Sequence, residues 1–339
     1  MSKSVPQLTE KTDTEDNDLL HIVRSNVDYK QKRSNFITNI KSRYGNTIFV
    51  NSVSGDDVTG EVENPARPFQ TITAASTASA AYYTGGIAPS STNIITMDIR
   101  GTFTEAISLI NFHNYNLNDS YLTTAIFDVV GGVNCTIYGN AYITATGGTT
   151  IMSVAGPSVI YIKCKTMVGS FYMTNALATI DVDCNIVSQT NNSITLITDG
   201  TITFRNASMT NSGASMFFMV GAGSVRVVEC NCISNNEILK TSTVSSTAVA
   251  TFRRSKLETS GTNFDTINLL TNTGTNLTLI LNGCTLIANG TGNSIDAAQA
   301  TNVYIYASCN TNLTHDTGNV TLLLGTVANG RYLIAAATI

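Results

Sequence analysis

The sequence predicts an all-β chain that winds as a solenoid, a right-handed single-stranded parallel β-helix. Three observations carry this. The first is a short pattern that returns every twenty to thirty residues: an apolar residue, a polar one, a small or Cys/Asn-like one, and three positions later another apolar residue or Thr. Copies begin at Ile137, Ile162, Val182, Phe204, Val228, Phe252 and Leu281, so successive starts are 25, 20, 22, 24, 24 and 29 residues apart. A repeat of this length built from short strands and turns is one coil of a solenoid. The second is composition. Charged residues are 12% and Trp is absent, while Thr, Asn, Ser and the branched aliphatics dominate, which suits pleated strands joined by hydroxyl and amide turns. The third is that the first 45 residues are unlike the rest. They hold 6 acidic and 8 basic residues, 14 of the 42 charges in the chain.

Taken in order, three regions follow. Residues 1–45 form a small attachment region with a strand at Leu19 to Arg24, too short for a sizeable core of its own and expected to dock through Leu19, Leu20, Ile22, Val23, Phe36 and Ile37. Residues 46–91 supply an opening strand (Asn46 to Val53), a Gly/Asp/Pro loop from Ser54 to Pro68, and one short Ala-rich helix from Phe69 to Ala78 with Ile72 and Ala75 on one face. That helix is expected to cover the open first edge of the solenoid. Residues 92–339 are the β-helix proper. The apolar stretches Val320 to Leu324 and Tyr332 to Ile339 are expected to be buried between subunits rather than left as free edges.

Within the repeat, the second position reads Lys163, Asp183, Arg205, Glu229, Arg253. In a parallel coil these residues are predicted to form one vertical file about 4.8 Å apart from rung to rung, and their alternating signs make it a structural charge ladder. Cys164, Cys184 and Cys230 share a place in the repeat and are read as small buried hydrophobes, stacked as reduced thiols in a protein made in a cytoplasm. Cys230 and Cys232 lack a second ligand pair at zinc spacing, so no metal and no cofactor is expected. His21, His113 and His315 make no motif and are read as surface residues. Gly221-Ala222-Gly223 is a turn rather than a phosphate loop. Tyr82-Tyr83 and Phe217-Phe218 are assigned to core or interface. The net charge of −4 without a basic cluster disfavours nucleic acid, and no apolar run reaches transmembrane length.

Two resemblances enter on these residues. Phe49-Val50, Gly55-Asp56-Asp57, Gly60, Pro65, Pro68-Phe69, Thr71-Ile72 and Ala74-Ala75 together resemble the opening motif of pectate-lyase-like right-handed parallel β-helices. Asp18 to Val23 with Lys32 and Phe36-Ile37 resembles the head of bacteriophage tail-fibre and tailspike proteins. The resemblance implies a homotrimeric virion protein, a fibre or spike of structural and adhesive role. It would be held to other virion proteins by residues 1–45 and meet a host surface glycan or protein with its coils. It leaves open a head fibre or capsid decoration protein. The alternative it implies is a tailspike depolymerase, a polysaccharide hydrolase or lyase working with two outer-face carboxylates. For that role the candidates are Asp181, Asp183 and Glu229, since Asp181 and Asp183 flank the inward Val182 and share a face. The ladder reading gives Asp183 and Glu229 a structural role instead, and the absence of Trp removes the usual sugar platforms.

Overall fold

The computed structural model describes residues 46–84, 88–123, 127–129, 131–145, 150–188, 194–244, 248–262, 264–269, 277–289 and 295–296. It also describes the backbone of the strands at 19–24, 27–32, 303–311 and 321–322. Among these the chain is a parallel β-helix with a single helix, α1 (Ile72–Thr84). Each coil contributes three strands. The first two join an eighteen-stranded sheet and the third joins a nine-stranded sheet. One coil is Thr201–Arg205, Ser208–Asn211 and Phe217–Gly221, and the next is Ser224–Val228, Asn231–Ser234 and Leu239–Val244. Pairing between coils is parallel throughout, and the winding is right-handed, as parallel crossovers almost always are.

Alternation in the sequence becomes inside and outside here. Ile162, Val182, Phe204, Val227, Phe252 and Leu281 occupy one inward file, in direct register from coil to coil. All are buried. A second inward file on the short sheet runs Phe171, Thr195, Phe217, Leu239, Ile267, Ile295. The two meet in the interior, where Phe171, Phe204, Phe217 and Phe252 follow one another with ring centroids 5.7 to 6.0 Å apart. Such edge and tilted contacts add to the area each ring removes from water.

The described column opens with strand Thr47–Asn51, and α1 packs against that strand and against Ile107–Ser108. The helix runs to Thr84, beyond the Ala78 expected. Ile72, Ala75 and Ser79 line its buried face. Its start is set by two carboxylates. Asp57 accepts from the Gln70 and Thr71 amides at 2.7 and 2.9 Å. Glu105, reaching in from a later coil, accepts from the Ile72 and Thr73 amides at 2.7 and 2.9 Å. Thr71 is the N-cap, its Oγ1 accepting from the Ala74 amide at 3.1 Å. An anion at a helix N-terminus is favourable.

His113 is a correction to the surface reading. It is buried against α1, with Nε2 2.8 Å from Ser79 Oγ and Nδ1 2.9 Å from the Asn111 carbonyl. The carbonyl can only accept, so Nδ1 carries the hydrogen and Nε2 accepts from Ser79. With no exposure, this pair is a clip between the cap and the column. The N-terminal strand at Leu19–Arg24 is present, paired antiparallel with Val27–Lys32. Leu19, Leu20, Ile22 and Val23 lie on it, whereas Phe36, Ile37 and the apolar C-terminal stretch from Tyr332 lie outside the described residues.

Two tests follow from this architecture. Gly139 has φ of 127°, and a Cβ there would overlap the Leu117 carbonyl oxygen, whereas one at Gly131 meets nothing. Gly139→Ala is expected to destabilise by about 2 kcal/mol or more and Gly131→Ala by less than about 0.5 kcal/mol, read from denaturant midpoints. Burial lowers the His113 pKa, opposed by its bond to Asn111. The neutral ring therefore favours the docked cap, and this contribution is present above the ordinary histidine value near 6.5 and lost as pH falls below it. Amide exchange across 72–84 is expected to quicken from pH 7 to 5 relative to the core strands; equal protection at both would refute the clip.

Candidate functional site

On the outer face of the long sheet the five residues expected to form one charge ladder make separate contacts: Lys163 lies near Asp183, Arg205 pairs with Asp181, and Arg253 stands in register with Val228 and Asn282. Backbone register pairs Tyr138 with Lys163, and runs Arg205, Val228, Arg253 and Asn282 in one file, while Asp183 follows directly after Val182, the last paired residue of its strand. Glu229 is not in it; Val228 stands between the two arginines. The cause is the corner. Glu229 has φ of 56° and Arg254 φ of 48°, as do Asn206 at 51° and Gly283 at 63°. In these four coils one left-handed residue turns the chain from the first strand to the second, and Glu229 fills that place. Its carboxylate pairs with Arg254 of the next corner at 2.6 Å.

The carboxylates considered for catalysis are all engaged. Asp181 accepts from Arg205 Nε at 3.1 Å on both oxygens. Asp183 lies 3.9 Å from Lys163 Nζ, and Glu229 is held by Arg254. These pairs are largely exposed, so each is worth only about 0.2–1 kcal/mol. Opposite sign at 4.8 Å chiefly avoids the repulsion that like charges would meet.

The thiols are structural. Ala207, Cys230, Ser255 and Cys284 follow one another inside the extended corner, linked through the amides of Asn231, Lys256 and Thr285. Cys230 Sγ, Ser255 Oγ and Cys284 Sγ each donate to the carbonyl two residues earlier. A small side chain with one donor fits this place. Cys164 and Cys184 occupy two tighter corners without a left-handed residue. There the hydrogen bond with Cys164, and then burial, push the Cys184 thiol far up. Cys232 is a strand residue facing the core between Met209 and Leu257. The six described cysteines are free and buried.

Two outer clefts were not legible in the sequence. One, of about 250 Å³, opens between the 51–68 loop and the first coils, beside Phe49, Pro65, Pro68, Asp98 and Arg100. Asp98 is 7% exposed and fully served: Asn118 Nδ2 donates at 2.7 Å, Arg100 at 2.9 Å and Asn116 Nδ2 at 3.4 Å. The second, of about 280 Å³, lies over the short sheet between Ala214, Ser215, Phe218, Asn236, Glu237, Lys240 and Phe264. Glu237 is 6% exposed. Phe218, Lys240 and Asn268 are successive outward residues of that sheet, so Phe218 faces the cleft whereas its neighbour Phe217 is core. The loops before these strands stack too, with Asn235 and Asn236 side-chain amides donating to the Ser212 and Gly213 carbonyls of the coil before. The sequence signal was the polar insertion before each third strand, 212–215, 235–237 and 260–265.

No family model, no curated protein and no solved structure matches the chain. The geometry therefore defines a parallel β-helix with a cross-capped first coil, outer ion-pair files and two clefts. No group of three or more metal-ligating side chains occurs among the described residues.

The buried thiols set an alkaline limit. Burial pushes the Cys135 thiol up to about 12 and raises Cys230, Cys232 and Cys284. The native state thus keeps protons that the unfolded chain gives up above about pH 8.5. Stability is full below that pH and falls as pH rises towards 12, by up to about 1.4 kcal/mol per pH unit for each such thiol. Melting temperature measured from pH 8 to 11 is expected to drop, and the drop is expected to shrink in Cys135→Ala; a flat profile would contradict the burial.

Proposed function

We propose that this chain is a structural bacteriophage virion protein, a homotrimeric fibre or spike anchored by residues 1–45 and adhering to the host surface through its coils. The reading draws on the two resemblances carried by residues 18–37 and 49–75, and on the solenoid fold, which is compatible with such a role.

The observation that carries adhesion over catalysis is the pairing of Asp181, Asp183 and Glu229 with three different cations. A glycosidase needs one carboxyl able to give a proton and a second held across the bond from it. Here each of the three carboxylates is instead held by its own guanidinium or ammonium group, the arrangement of a structural surface ion pair.

Light scattering of the purified protein is expected to give three times 36.0 kDa. Incubation with host capsule is expected to leave its molecular weight unchanged, and removal of residues 1–45 to leave a trimer that no longer joins virions. New reducing ends or unsaturated sugars would replace adhesion by depolymerisation. Incorporation of the truncated chain would remove the anchor, and a monomer would remove the trimer.

A further inference from the structure

Asp98 and Glu237 are equally buried on the outside of the column, yet their oxygens are served differently. Asp98 has two short donors and a longer third. Glu237 has one short donor, Ser215 Oγ at 2.8 Å to Oε2. At Oε1 it has only Asn268 Nδ2 at 3.4 Å and Lys240 Nζ at 3.8 Å, beyond hydrogen-bond length. A carboxylate accepts at about four sites, and burying one so thinly served is costly. Glu237 and Lys240 both line the cleft walled by Phe218 and Phe264.

We infer that this cleft is a subsite for a single neutral pyranose ring, the sugar unit of the host surface in the attachment reading above, on which this inference rests. A hydroxyl placed between Lys240 and Glu237 accepts from the ammonium and donates to Oε1, closing the gap that the two leave open. A vicinal hydroxyl reaches the Asn236 amide. The apolar C–H face of a pyranose covers a phenyl ring, and Phe264, 38% exposed, offers one without Trp. At about 280 Å³ the cleft falls just below the roughly 300 Å³ at which ligand clefts begin, which limits it to a single ring rather than a chain. Charge selects among rings. Asp265 Oδ2 lies 3.4 Å from the same Asn268 nitrogen that approaches Glu237. The buried Glu237 carboxylate lining the cleft disfavours a uronic acid and accepts a neutral sugar.

The test is saturation-transfer NMR on the full-length protein with methyl glycosides of glucose, galactose and N-acetylglucosamine, beside glucuronate and galacturonate. At least one neutral glycoside is expected to bind with a millimolar constant, and neither uronate. Glu237→Gln and Phe264→Ala, each with an unchanged melting temperature, are expected to weaken binding roughly tenfold. If Glu237→Gln fails to fold, Phe264→Ala and Lys240→Met carry the test. No neutral glycoside bound, uronates bound equally, or unchanged affinity in the folded variants overturns the subsite. Binding of fluorescent protein to host cells separates the two readings. Cells bound with no sugar effect removes the subsite alone; sugar bound without cell binding removes the attachment reading alone.

Discussion

The rest of the molecule depends on one constraint: successive coils are stacked in parallel and in register, about 4.8 Å apart, so each side chain meets its counterpart above and below. Inside, this requires shapes that nest. Phe171, Phe204, Phe217 and Phe252 satisfy it by alternating between two sheets, so no ring lies flat on an identical neighbour. Outside, it forbids like charges on adjacent rungs, which is why Lys163, Asp183, Arg205 and Asp181 interleave. Tyr121 and Tyr142 take the other course. They lie parallel with centroids 5.1 Å apart and Lys165 Nζ 4.8 Å from the second ring, so the aromatic step ends in a cation.

The same constraint acts on the corners. Where one residue of these corners turns left-handed, the next is small and faces inward, as Ala207, Cys230, Ser255 and Cys284 do, and the last three also supply a donor. Cys230, Ser255 and Cys284 do so by reaching back two residues. Cysteine serves as a slightly larger serine that tolerates a dry site, and its raised pKa is a consequence of that site. Glu229 and Arg254 accept backbone geometry that disfavours them, and their 2.6 Å pair offsets part of that cost. At the first described coil, Asp57, Glu105 and the Ser79–His113 clip hold a helix against the column.

Most of the fold was legible because stacking repeats itself in sequence: inward positions such as Ile162, Val182 and Phe204 recur at coil spacing, and the cap shows its Ala-rich run. The error over Glu229 shows the limit. Val227 and Val228 are both apolar, and only the corner's extra residue decides which points inward; a count of polarity cannot see a left-handed φ. His113 was misread because its partner, Ser79, is 34 residues away on another element. The carboxylates of greatest interest were missed for a related reason. Asp98 and Glu237 stand out by burial and by the donors around them, and both are properties of neighbouring coils.

That difference bears on how function sits on such a column. A solenoid's outer surface is a set of repeated files, and a charge within a file is served by its rung neighbours, as Asp181 and Asp183 are. A residue becomes available for a ligand where the repeat is broken by an insertion, because the loop buries it without supplying a full set of partners. The 51–68 loop does bury Asp98, yet Asn116 and Asn118 from the next coils fill its oxygens. The loops before the third strands bury Glu237 and leave Oε1 with contacts at 3.4 and 3.8 Å only. Equal burial with unequal satisfaction is what distinguishes a structural carboxylate from one that still has something to bind.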